Sequence, residues 1–200
     1  AVLSADELEA GVAMIDIGGG TTDLAIYRDN QIVHTAVIPF GGNAVTSDIK
    51  KGCKIVWRYA EQLKKQYGRV IPTAENKNKV VKIPGINGSD YLEIRFNELA
   101  EIIQARMEEI IEAAITCIDS YGNRSDLGAI VITGGGALLK NLPQFVSFKT
   151  GLTTRIGRPR VAISGEAAGT IADPTLSTAV GLMLEGAIDL EGVENQDTKQ

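Results

Sequence analysis

The apolar positions change period along the chain, and the changes divide it into elements. "GVAMIDI" (11–17), "TTDLAIYR" (21–28) and "QIVHTAVIPF" (31–40) are short, apolar or alternating runs that read as three strands. Asp29-Asn30 sits between the second and third as a two-residue hairpin turn, so the opening reads as a meander. Residues 41–68 then carry a helical pattern, one helix or two, with Asn43 as an N-cap and Gly68 as a stop. "RVIPTAENKN" is a polar loop, and "KVVKIPG" and "YLEIRF" flank "INGSD" as a hairpin. From Asn97, read as a cap, Leu99, Ile102, Ile103, Met107, Ile110, Ile111, Ala114, Ile115 and Ile118 recur at three- and four-residue spacing, which predicts one long amphipathic helix. "AIVIT" (129–133) is a buried strand running into glycine and then a helix start. "TRIGRP" is an edge strand stopped by Pro159, and Pro174 opens a helix over 173–188, after which "EGVENQDTKQ" reads as a frayed polar tail.

The order predicts an α/β core with a smaller α+β insertion. The core comprises residues 1–43 and 97–188, the insertion 44–96 and the tail 189–200. The insertion is the part richest in Lys and Asn.

Composition narrows the function classes. The chain has 200 residues, 44% hydrophobic and 22% charged, with a formal net charge of −5, which is ordinary for a globular protein and gives nucleic acid no electrostatic footing. No apolar run approaches a membrane span, and the first residues lack the basic-then-apolar order of a signal peptide. Cys53 and Cys117 are isolated, with no CxxC, and read as small apolar helix residues of a reduced compartment.

The chemistry concentrates in two glycine clusters, Gly18-Gly19-Gly20 and Gly134-Gly135-Gly136, each ending an apolar strand beside threonine. Backbone N–H groups of such a turn can converge on an anion, and the missing Cβ lets phosphate oxygens approach. Neither cluster is a Walker A loop or a GxGxxG dinucleotide fingerprint. One cluster alone reads as a hairpin tip. Two, each at a strand end and flanked by Thr21-Thr22 or Thr133, point to nucleotide phosphate. Asp16, two residues before the first cluster, is placed to hold a hydrated Mg²⁺ through water, and Asp23 could do likewise. As a turn-capping carboxylate Asp16 is equally well explained.

"DIGGGTTDLAIY" resembles the second phosphate motif of the actin, Hsp70 and sugar-kinase superfamily, and "IVITGGGALL" resembles its adenosine motif. Within that superfamily, "VHTAVIPFGGNAVTSDI", "AEQLKKQYG", "LAEIIQARMEEI" and "STAVGLMLEGA" resemble FtsA, the bacterial actin-like cell-division family, in its carboxy-terminal half. The resemblance implies an RNase H-like actin-type ATPase lobe. ATP and Mg²⁺ would be its cofactors, at most weak ATPase activity would be expected, and the chain would self-associate into filaments. Its partner would be the carboxy-terminal peptide of FtsZ, at the inner face of the cell membrane. By the same resemblance Asp16, the glycines of both clusters, Thr21 and Thr22 would face the nucleotide, and Glu61 and Lys64 would contact its nucleoside. Without the resemblance Glu61 and Lys64 read as a solvated helix pair. Arg106 and Glu109 match positions that bind the FtsZ peptide, and otherwise read as an exposed pair of little energetic weight. The family reaches the membrane through an amphipathic helix, which "EGVENQDTKQ" does not resemble. His34 falls on the family's "HT" with no catalytic or metal partners near it in sequence, and Trp57 with the basic residues around it is unassigned. The rival readings are a sugar- or acetate-type kinase, an Hsp70-like ATPase and MreB. All share the core, and the segment "IPFGGNAVTSDI" favours FtsA over MreB.

Overall fold

The computed structural model describes residues 1–76, 78–85, 90–160 and 167–197. Its centre is a five-stranded sheet in the order β3-β2-β1-β6-β7, formed by β1 (Val12–Ile17), β2 (Thr22–Arg28), β3 (Gln31–Ile38), β6 (Ala129–Thr133) and β7 (Thr154–Ile156). The first three strands are antiparallel, as the short turns between them require, and β1, β6 and β7 run parallel. At the β2–β3 turn Asp29 and Asn30 adopt φ of 51° and 62°, the left-handed pair that a tight hairpin needs.

Alternation decides which residues face which layer. Ala13, Ile15 and Ile17 of β1, with Ile130 and Ile132 of β6, point into the main core. There they meet α4 (Phe96–Tyr121), whose Leu99, Ile103, Met107, Ile110, Ile111, Ala114 and Ile118 are buried as the sequence stripe predicts. Ile102 and Ile115 lie at the margin of that stripe, partly buried. The opposite face carries Val12 and Val131 packed on Val2, ahead of a short helix, α1 (Ala5–Ala10).

Between β3 and α4 the chain forms α2 (Gly42–Gly52), α3 (Trp57–Tyr67) and a separate two-stranded sheet of β4 (Val80–Pro84) and β5 (Tyr91–Arg95). Val45, Ile49, Leu63, Ile83 and Ile94 from these elements join the same buried cluster as the main sheet. The turn expected at "INGSD" falls largely outside the described residues. After β6 come α5 (Leu142–Thr150), α6 (Ala167–Ile171) and α7 (Ser177–Asp197).

Four expectations change. α1 was not read from the sequence, although Ser4 and Glu7 close a reciprocal capping box at its start. Asn43 is not a cap, because α2 begins at Gly42 with Gly41 before it and no side-chain cap. Asn97 lies inside the first turn of α4, which follows directly from β5, and its buried Oδ1 has no partner among the described residues. The last helix does not stop at residue 188, since α7 continues to Asp197 through the stretch expected as a frayed tail.

Candidate functional site

Three chain segments meet at one end of the sheet. β1 ends in a turn closed by Gly18 N–H donating to the Thr21 carbonyl at 3.0 Å. The first turn of α2 docks on it, Gly42 N–H donating to the Gly18 carbonyl at 2.9 Å and Asn43 N–H to the Gly19 carbonyl at 2.8 Å. That contact is backbone on backbone, and a Cβ at Gly41 would stand 2.6 Å from the Gly18 oxygen. The third segment is the end of β6, held at the same height because β1 and β6 pair in parallel register, Asp16 opposite Thr133.

These segments and α3 enclose a cleft of about 370 Å³. Gly18, Gly19, Gly135, Gly136, Glu61 and Lys64, all expected at a nucleotide, line it. So do Gly42, Asn43, Lys65, Met107, Leu138, Leu139 and Thr175, which sequence reasoning did not assign to a site. For the first pair a signal existed, since a second Gly-Gly immediately after a strand, followed by a helix, is itself a close-approach pattern.

The glycines divide into two kinds. Gly134 has φ of +80° and faces Asp16 Oδ1 and the Ile17 carbonyl, while Gly136 lies against the Ile17 side chain. Internal packing explains both. Gly20 has no atom within 4 Å of a would-be Cβ, Gly135 meets only the Thr175 methyl at 3.8 Å, and Gly19 meets the Asn43 amide no closer than 3.5 Å. Nothing among the described residues accounts for their lack of side chains. Open space above a Gly turn is what a phosphate cradle requires.

The polar wall is a network. Lys64 Nζ donates to the Gly42 carbonyl, Thr46 Oγ1 and Glu61 Oε2, each at 2.8 Å. Thr46, fully buried, donates to Glu61 Oε2 at 2.5 Å. Burial alone would raise the Glu61 carboxyl. The hydrogen bonds from Lys64 and Thr46, with the charges of Lys64 and Lys65, outweigh it and leave the group below the usual carboxylate range. Glu61 and Lys64 are therefore not a solvated helix pair.

The remaining candidates lie elsewhere. Thr22 is buried and its hydroxyl donates to the Phe40 carbonyl, so it offers the cleft no donor. Thr21 is exposed and donates to Asp23. Gly20 and Gly134 do not line the cleft. Asp16 points to the other sheet face, into a second cavity of about 410 Å³ beside α7, where it accepts from Thr178 at 3.0 Å. Burial there, with the nearby charge of Asp23, raises its carboxyl in spite of the Thr178 bond. Among the described residues no group of three or more His, Cys, Asp or Glu could hold a metal. His34 stacks on Tyr121, ring centroids 5.5 Å apart. Arg106 and Glu109 sit on α4 outside the cleft, although Met107 between them lines it. Arg106 pairs with Asp48 of α2 as well as with Glu109. Among the described residues no helix is long and apolar enough to cross a membrane.

Comparison with known proteins gives a consistent pattern. The family described as "Cell division protein FtsA" matches residues 13–181. The FtsA protein of Neisseria meningitidis serogroup B is 36% identical over 194 residues, 96% of this chain and 46% of that protein. That of Escherichia coli K12 is 35% identical over 193 residues, 92% of this chain and 46% of its own length. The chain thus spans about half the length of the curated relatives it matches. Among solved structures, MreB5 of Spiroplasma citri bound to AMPPNP superposes with a TM-score of 0.76 at 25% identity, over 96% of this chain and 57% of that one. The fold is that of an actin-type ATPase lobe.

Proposed function

The chain belongs to the FtsA family of cell division proteins, and from that premise we propose that it is the nucleotide-binding lobe of an actin-like division protein. The protein binds Mg-ATP, self-associates into filaments and recruits FtsZ through the FtsZ carboxy-terminal peptide at the inner membrane face. Residues 1–43 and 97–188 are the core of the lobe, and 44–96 its outer subdomain.

The observation that carries the nucleotide reading is the convergence of Gly18, Gly19, Gly135, Gly136 and Glu61 on one cleft, where packing does not explain Gly19 and Gly135. The two Gly segments would take phosphate through backbone N–H groups, and Glu61 the sugar side. MreB5, the solved relative bound to AMPPNP, supports the same assignment. Asp16 does not line this cleft, so no direct protein ligand is assigned to Mg²⁺, which enters with the phosphates.

The FtsZ reading rests on Arg106 and Glu109, whose charged ends stand at the margin of α4's buried stripe. An apolar margin beside paired charge suits a docked peptide. Calorimetry of the full-length protein with Mg-ATP, and anisotropy with a labelled FtsZ tail peptide, test the two halves separately. Absence of nucleotide binding would remove the first, and absence of peptide binding the second.

A further inference from the structure

An ammonium group carries three N–H bonds, and those of Lys64 have three protein acceptors, the Gly42 carbonyl, Thr46 Oγ1 and Glu61 Oε2. With its side chain only 13% exposed, Lys64 ties α3 to the first turn of α2 and keeps no donor for a ligand. Thr46 Oγ1 accepts from Lys64 and gives its single proton to the nearer of its acceptors, Glu61 Oε2. Two donors thus hold Oε2. Among the described residues the other oxygen, Oε1, has only Lys65 at 3.4 Å, a side chain that is 72% exposed.

We infer that Thr46 is a positioning residue for the nucleoside end of the cleft: with Lys64 it pins Glu61 Oε2, so that Oε1 is presented to a sugar hydroxyl and the cleft prefers a ribonucleotide to its 2′-deoxy counterpart. The inference rests on the nucleotide reading of the cleft. A hydroxyl donated to an ionised carboxylate is among the stronger hydrogen bonds, and a carboxylate already fixed loses little freedom in making it. A ligand lacking that hydroxyl leaves Oε1 with only the long contact to exposed Lys65 in a largely buried side chain, and a missing partner of this kind is how polar sites discriminate. The Glu61 carboxyl, held below its usual range, stays ionised at neutral pH.

The test uses the full-length protein and two ligands, Mg-ATP and Mg-2′-deoxy-ATP, with affinities measured for wild type, Thr46→Val, Thr46→Ser and Glu61→Gln and a melting curve for each. Wild type and Thr46→Ser are expected to prefer ATP by about tenfold. Thr46→Val and Glu61→Gln should bring the ratio close to one. A general loss of stability lowers both affinities together and leaves the ratio in place, so the ratio separates positioning from mere packing. A folded Thr46→Val protein that keeps the preference while Glu61→Gln loses it overturns the role of Thr46. If Thr46→Val does not fold, Thr46→Ala is read in the same way. A wild-type ratio near one with tight ATP binding overturns the inference and leaves the nucleotide reading standing. Failure to bind either ligand removes both.

Discussion

Arg106 Nε lies 2.5 Å from Asp48 Oδ2, so the side chain expected to meet a partner also fastens α4 to α2. Both side chains are about three-quarters buried, and the Asp48 bond is the chief reason that Arg106 holds its proton more firmly than usual. Glu109, at 60% exposed, is the only open member of the trio. The sequence expectation of an exposed pair with little energetic weight therefore fits Glu109 and not Arg106. Arg106→Glu should lower stability by about 1–2 kcal/mol, more than a surface pair would, and weaken FtsZ-peptide binding. Glu109→Lys should weaken the peptide with almost no change in melting temperature. Peptide affinity unaffected by Glu109→Lys would move the partner site off this face of α4.

The two glycine clusters predict opposite phenotypes. Gly19→Ala meets only the Asn43 amide at 3.5 Å and its backbone needs no left-handed φ, so the variant should fold normally and bind Mg-ATP poorly. Gly134→Ala must sustain φ of +80° and drive into Asp16 and the Ile17 carbonyl. Its cost should be about 2–4 kcal/mol of stability, whatever happens at the nucleotide. Melting curves beside nucleotide titrations separate the two. A Gly19→Ala protein with unchanged affinity would return the first turn to a plain hairpin tip.

Acid should loosen the amino-terminal segment. The Arg155 guanidinium bonds both oxygens of Glu7 at 2.6 Å and holds its carboxyl down at about 2, below an ordinary value of 4.5. A depressed carboxylate contributes stability that is complete above its unfolded pKa and lost as pH falls through the folded one. The window thus runs from about pH 4.5 down to about 2. The contribution at neutral pH is about 2 kcal/mol once solvent screening is allowed for. Urea melts of wild type and Glu7→Gln should differ at pH 7 and converge near pH 2. A constant difference would mean that the ion pair is not what titrates.

This chain by itself should bind Mg-ATP more weakly than about 1 μM. Its cleft supplies backbone donors and one polar network on one side of a ligand, and affinity depends on donors preorganised around all of it. Calorimetry on the 200-residue chain, beside the full-length protein, measures the gap. Equal affinities would show that the site is complete here.

Periodicity carried most of the fold because each long element has a single buried face. The α4 stripe and the β1–β3 meander are both of that kind. α1 is not legible from periodicity, because six residues present no stripe. Its only signal was the Ser4–Glu7 box, which depends on side-chain hydrogen bonds. Asn43 and Asn97 are not caps because α2 and α4 begin earlier than those residues, with Gly41 and Arg95 at the N-cap positions and no side-chain cap bond at either. At the site, the glycines and the Glu61–Lys64 pair were legible as residue types. What was not legible was direction. Whether Thr22 faces inward or Asp16 faces the far side of the sheet depends on strand phase relative to the turn, and Thr46 enters only because α2 and α3 pack side by side.

The parallel register of β1 with β6 sets limits on how this site can change over evolutionary time. Both Gly segments hang from the ends of these two strands, with Asp16 level with Thr133. Deleting one residue from either strand would slide its cluster by about 3.3 Å and turn every side chain behind it to the opposite layer. The separation of the two clusters is therefore a fixed gauge, open to substitution and closed to changes of length.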